Sequence, residues 1–340
     1  MTAPGSTAPV LAPRVLGRCR ALVRPALAEA VGRLHPWVGE MAAYAFGWCE
    51  VGGAPAPASG GKGVRQALAV LGAEAAGAPE RAGVAAAVAV ELVHTFSLLH
   101  DDIMDGDAAR RRPAVWKAYG TGPAVLAGDA LFALAVETLA ARSGGPAAVR
   151  ALSAALGDLV RGQADDLLFA ARPWTGPEQV RPDEYRAMAE RKTGALLGCA
   201  AALGSVLGGA AAGTSAALDR AGRHLGVAFQ IVDDVLGVWG DPAVTGKPVH
   251  GDLRERKKTF PVLVALRTPV APRLAALLES GTDPAAAAAL IEEAGGRSAA
   301  LAEARRHLTA AEAALTAVPL EAGAAADLRS LLDFLVRRDL

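Results

Sequence analysis

The stretch LLHDDIMDGDAARRRP, residues 98–113, ends an apolar run in concentrated charge. Asp101, Asp102 and Asp105 fall within five positions, and Arg110, Arg111 and Arg112 follow. An apolar segment at helical spacing buries its length, but clustered like charges cannot follow it into a core. A buried helix must therefore end at these aspartates. On an α-helix Asp101 and Asp105 share a face, and Asp102 is offset by about 100°. Such carboxylates repel one another and tend to take up protons unless a cation lies between them. Magnesium suits the pattern, because it is held by one or two carboxylates while substrate phosphates and water complete its shell.

The rest of the chain points to an all-α fold. Apolar positions recur at helical spacing over 14–34, 62–78, 81–104, 121–142, 146–170, 182–209, 214–239, 252–267 and 296–338. The punctuation between them is short, as in SGGP at 143–146 and GDPAVTGKP at 240–248. No sustained strand alternation interrupts the pattern, and aromatic residues make up only 4% of the chain. Residues 14–340 are expected to form one large helical bundle, and the Pro/Ala/Ser/Thr-rich segment 1–13 to be disordered. Lys+Arg and Asp+Glu balance at 35 each, so no global field draws the chain to nucleic acid or an acidic membrane. No membrane span is expected: Glu91 stops the run 82–90, and 194–212 is rich in small residues. Cys19, Cys49 and Cys199 have neither zinc nor disulfide spacing and are expected to be buried thiols in a reducing cytoplasm.

A second cluster echoes the first. FQIVDDVLGVWGD, residues 229–241, again ends an apolar run in adjacent aspartates, Asp233 and Asp234. Two helix-borne carboxylate sets facing across a bundle would hold magnesium ions on one polyphosphate. Basic residues accompany them: Lys62 and Arg65 in GGKGVR, Lys192 in RKTG, Lys247 in TGKP, and Lys257 and Lys258. Arginine binds phosphate oxygens in bidentate fashion, and lysine supplies a mobile point charge. His94, Gln163, Asp166 and Gln230 are polar positions inside apolar helical stretches. Each is open to two readings, a satisfied core side chain or a substrate contact.

The ordered motifs GGKxxR (60–65), HDDxxDxxxxRR (100–111), GD (128–129), GQxxDL (162–167), KTG (192–194), FQxxDD (229–234), GK (246–247) and DLxxxKKT (252–259) resemble the polyprenyl synthetase family of trans-isoprenyl diphosphate synthases. The resemblance covers about residues 58–340. It implies the isoprenoid synthase fold, a large helical bundle around a central cavity, as a homodimer. The implied reaction condenses isopentenyl diphosphate head-to-tail with an allylic diphosphate (dimethylallyl, geranyl or farnesyl), with three magnesium ions. Asp101 and Asp105 would bind two ions with help from Asp102, and Asp233 the third with Asp234 nearby. Arg110, Lys192 and Lys247 would hold the allylic diphosphate, and Lys62, Arg65, His94 and Arg111 isopentenyl diphosphate. Lys257 would help to close the site. The Lys192 carbonyl, Thr193 and Gln230 would face the allylic cation.

The sequence departs from the family pattern at Gly237, where a third aspartate is usual, and Asp241 is the residue expected to compensate. Gln66 replaces a usual proline. Phe96 and the small Ser97, five and four residues before Asp101, resemble the chain-length positions of short-chain enzymes. Phe96 as the floor of the product tunnel implies geranylgeranyl diphosphate (C20), with farnesyl diphosphate (C15) as the alternative. Two other readings are a class I terpene cyclase and a non-catalytic subunit or encapsulated cargo, docked to a shell protein through residues 1–13.

Overall fold

Alanine and leucine favour helix, and their small or flexible side chains let helices approach closely. The computed structural model describes residues 8–56, 61, 63–109, 112–242 and 249–337. In chain order the helices are α1 (Ala8–Gly32), α2 (Pro36–Ala45), α3 (Val64–Ala75), α4 (Val84–Met104), α5 (Val115–Tyr119), α6 (Thr121–Ala140) and α7 (Gly145–Ala171). There follow α8 (Pro182–Ala189), a π-helical stretch Glu190–Gly194, α9 (Ala195–Leu207) and α10 (Ala212–Trp239). The last are α11 (Gly251–Arg254), α12 (Phe260–Ala265), α13 (Ala271–Ser280), α14 (Pro284–Glu293), α15 (Gly296–Thr316) and α16 (Ala322–Arg337). No β-strand occurs among the described residues, in agreement with the all-α expectation.

The structure differs from the sequence reading in several places, and α2, α5, α13 and α14 lie outside the predicted runs. Helix α1 begins at Ala8, so residues 8–13 of the segment expected to be disordered are helical. Burial of Ala12, Val15 and Leu16 outweighs the prolines there, and residues 1–7 lie outside the described residues. The expected helix 252–267 is broken at 255–259, where Arg256 has a positive φ of 56° and Thr259 is extended before Pro261 restarts the helix. The expected helix 296–338 is broken around Pro319 into α15 and α16.

The chain divides into two compact units. The first comprises Met1–Ser153, Cys199–Asp219 and Val318–Ser330. Its axis is α4, which packs against α1, α3 and above all α6. Ala85 to Val90, Leu92, Val93 and Leu99 of α4 are buried. Arg18 of α1 clamps this unit by reaching Glu74 at 2.5 Å and Glu80 at 3.0 Å. Helices α4 and α6 are long and apolar enough to cross a bilayer by length and composition alone. The α4 window is 67% buried within the protein, as a core helix is. Cys19, Cys49 and Cys199 are buried, as expected.

The second unit comprises Ala154–Gly198, Arg220–Ala317 and Leu331–Leu340. One of its cores gathers Val238, Leu253, Val262, Leu274 and Ile291 around Trp174. A histidine pair joins α10 to α15, with Nδ1 of His224 and Nδ1 of His307 3.1 Å apart. Glu303 lies 3.4 Å from His307 Nε2 and is also paired with Arg306 and Arg186. Burial, and then the neighbouring His224, Arg306 and Arg186, lower His307 from 6.5 to about 4. Between pH 6.5 and 4 the unfolded chain therefore binds the extra proton, so stability falls as pH drops through this window. His307→Gln is expected to remove on the order of 1–3 kcal/mol of that pH dependence, judged by the shift involved. Urea unfolding at several pH values, parent against variant, measures it; an unchanged slope would contradict the assignment.

Candidate active site

In the first unit, α4 delivers the acidic cluster. Asp105 is the residue at which the helix stops, with φ −85° and ψ −10°, and its N–H donates to the Asp101 carbonyl at 2.8 Å. The helix end is already negative because its last carbonyls point outward. Carboxylates added there deepen a potential that favours a bound cation. Asp102 is buried, whereas Asp105 is exposed. Among the described residues no three His, Cys, Asp or Glu side chains converge as a closed metal cage. Such open carboxylates fit magnesium, which leaves most of its shell to phosphate and water.

A cavity of about 450 Å³ runs along another face of α4 and is lined by Glu91, His94, Leu98 and Asp102. Arg20, Gln66 and Arg112 close other sides of it. Burial pushes the Glu91 carboxyl up, and Arg65, a Gln66 hydrogen bond and Arg20 pull it back. That places the Arg65 charge near Glu91, one turn before His94. Arg112, unassigned in the sequence, is a clamp. Its guanidinium donates to the carbonyls of Tyr44 (3.1 Å) and Cys49 (3.0 Å) and to Glu50 (2.6 Å), and stacks on the Tyr44 ring. It anchors the segment that follows Arg110 and Arg111. Those two residues, with Lys62 and Lys247, lie outside the described residues. Phe96 contacts the rings of His100 (4.8 Å) and Phe132 of α6 (5.8 Å), and the Ser97 hydroxyl donates to the His94 carbonyl at 2.9 Å.

In the second unit, Lys192 and Thr193 sit on the π-helical stretch. Neighbouring backbones hold that stretch from two sides. A Cβ on Gly162 of α7 would overlap the Lys192 backbone, and one on Gly226 of α10 would overlap Gly194. Only glycine permits both approaches. The Lys192 amine donates to Asp166 at 2.5 Å, and the Thr193 hydroxyl to Gln230 Oε1 at 2.9 Å. Gln230 Nε2 in turn donates to Asp234 Oδ1 at 3.4 Å. Gln163, buried beside this stretch, has neither amide atom hydrogen-bonded among the described residues.

Asp234 is the anchor of this network. Its Oδ2 accepts from the Tyr185 hydroxyl (2.5 Å) and the Phe260 N–H (2.8 Å). Burial raises its carboxyl to about 8; the Tyr185 hydrogen bond opposes this and repulsion from Asp252 adds to it. Burial also pushes the Tyr185 hydroxyl well above its usual range. With both oxygens engaged by protein donors, Asp234 holds α8, α10 and α12 together. The sequence reading missed Tyr185. Its signal was its position seven residues before Lys192, the spacing that also separates His94 from Asp101. Asp241, expected to compensate for Gly237, is exposed and lies beyond the end of α10. Lys257 pairs with Glu255 at 2.6 Å.

Residues 55–294 match the family model of polyprenyl synthetases. The chain belongs to the polyprenyl synthetase family. It is 44% identical to a (2E,6E)-farnesyl diphosphate synthase of Mycobacterium tuberculosis, over 95% of this chain and 92% of that protein. It is 42% identical to a geranylgeranyl diphosphate synthase of the same species, over 98% of this chain and 96% of that protein. The crystal structure of a polyprenyl synthetase from Streptomyces coelicolor superposes with a TM-score of 0.90 at 47% identity, covering 96% of this chain and 99% of that one. This polyprenyl synthetase therefore has the all-α isoprenoid synthase fold and is a trans-prenyltransferase.

The Asp234 network makes a prediction about the synthetase's stability. Tyr185→Phe leaves a buried carboxyl short of one donor and is expected to cost about 1–3 kcal/mol in urea unfolding. A midpoint equal to the parent's would show that the hydroxyl is dispensable.

Proposed function

We propose that this prenyltransferase condenses isopentenyl diphosphate with allylic diphosphates to make geranylgeranyl diphosphate. The observation that carries the reading is the polar chain Thr193–Gln230–Asp234–Tyr185, which fixes oxygen atoms beside Lys192. Thr193 donates its proton to Gln230, so its oxygen lone pairs are left to face a developing cation. The Lys192 amine, paired with Asp166, supplies a charge that can exchange that partner for diphosphate. Asp101, Asp105 and Asp233 would hold magnesium, which would supply the positive charge that stabilises a departing diphosphate. Asp234 is better suited to positioning Gln230 than to coordinating metal, since its oxygens already accept protein hydrogen bonds. Arg65 and His94 hold isopentenyl diphosphate, and its double bond attacks the allylic cation before water can.

Product length rests on Phe96. Its ring is backed by Phe132, so it is braced against being pushed aside. The same bracing favours a second reading, a C15 product, as in the farnesyl-named relative. Phe96→Ala is expected to lengthen the product, read by mass spectrometry with each allylic primer. An unchanged length would remove Phe96 as the floor.

We also propose a homodimer built on α6. Val125, Leu126 and Phe132 of this helix are 38%, 49% and 38% exposed, an unusual apolar face for a monomer's surface. Sedimentation at twice the chain mass is the expected result, and a monomer at micromolar concentration would contradict it.

A further inference from the structure

Helix α10 carries a histidine that the proposed reaction does not use. His224 lies nine residues before Asp233 on this helix. Nine steps of about 100° turn it to the opposite face, about 14 Å along the axis from Asp233. There its Nδ1 meets Nδ1 of His307, from α15, at 3.1 Å. The ring centroids are 5.2 Å apart, so the rings approach through these nitrogens. Imidazole nitrogens bind zinc at about 2.0–2.1 Å, and two of them on one tetrahedral ion stand about 3.3 Å apart. The observed spacing is close to that value.

Glu303 backs the pair. It is 7% exposed, and its Oε1 lies 3.4 Å from Nε2 of His307, the ring's other nitrogen. That oxygen has no hydrogen-bond partner among the described residues. A carboxylate beside the second nitrogen of a ligating histidine fixes its tautomer and raises its basicity. With the proton on Nε2, the Nδ1 lone pair of His307 points to His224. Burial and the neighbouring charges keep the His307 ring neutral at physiological pH, the form that binds metal. Arg186 and Arg306 oppose a cation here, but both pair with Glu303, and Arg306 is 67% exposed, where water and salt screen it. The His307 side chain is 18% exposed, which leaves a way in for an ion with its waters.

We propose that His224 and His307 form a binding site for a divalent first-row transition-metal ion, zinc or copper by preference. Two imidazole nitrogens come from the protein, and water completes the shell. Nitrogen ligands select such ions over magnesium, which takes oxygen. The ion ties α10 to α15 on the face of α10 turned away from Asp233, so it acts on the stability of this helix pair.

The untagged full-length protein is titrated with zinc by calorimetry in excess magnesium, which occupies oxygen-ligand sites. The parent is expected to take up one zinc per chain at this site and to melt at a higher temperature with zinc present. His224→Gln and His307→Gln are each expected to weaken that binding by at least about tenfold and to remove the thermal shift. Zinc affinity in the parent within about twofold of either variant's overturns the proposal and leaves the pair as an N–H to N hydrogen bond. A second measurement does not depend on the variants folding. Copper(II), the tightest-binding of these ions, is added at one equivalent to the parent and examined by pulsed electron paramagnetic resonance. Two imidazole nitrogens on the copper are expected; one or none overturns the assignment.

Discussion

A single buried carboxylate organises the polar network of the second unit. Asp234 is out of water and accepts hydrogen bonds from Tyr185, the Phe260 N–H and Gln230. A buried carboxyl is tolerable only when such donors meet it, and each donor here belongs to a different stretch of chain or a different turn. The requirement therefore fixes α8, the end of α10 and the start of α12 in one arrangement. Gln230 passes that order to Thr193, and the glycine contacts at 162 and 226 hold the Lys192 backbone in place. The orientation of Lys192, Thr193 and Gln230 thus comes from a polar network, with the aliphatic core supplying the bulk of the burial.

The aspartates at the end of α4 solve the opposite problem. They stand at a helix terminus that already carries negative character, where their charge is costly without a cation. Asp234 and Asp105 illustrate how one residue type divides into two tasks by environment. The buried one is satisfied by the protein and positions its neighbours. The exposed one is the proposed metal ligand. Asp233 and Asp234 are adjacent in sequence, yet a helix turns consecutive side chains about 100° apart, which lets the pair divide in the same way.

Much of this was legible in the sequence. The helical periodicity pointed to the all-α fold, the two aspartate clusters and Gln230 stood out as polar positions ending or interrupting apolar runs, Lys192 as one of the accompanying basic residues, and Thr193 through the family resemblance. Other features were hidden for physical reasons. Tyr185 is an ordinary half-polar residue until its hydroxyl meets a partner 49 positions away. Arg112 had no assignment in the sequence because its carbonyl acceptors lie on a segment more than 60 residues earlier. The packing of Asp252 against Gly237 was hidden too, since only the fold brings the two together. The break at 255–259 depends on a left-handed Arg256, which helical propensity does not foresee.

The assignment of prenyltransferase activity to this chain as a condensing enzyme requires two diphosphates, one ionising and one attacking. A terpene cyclase of the same fold would need only the first. The most direct measurement is the stoichiometry of diphosphate release from farnesyl diphosphate with magnesium, with and without isopentenyl diphosphate. The account predicts one diphosphate released for each isopentenyl diphosphate consumed, with a C20 diphosphate formed and negligible release when isopentenyl diphosphate is omitted. Diphosphate released together with a hydrocarbon from farnesyl diphosphate alone would contradict it.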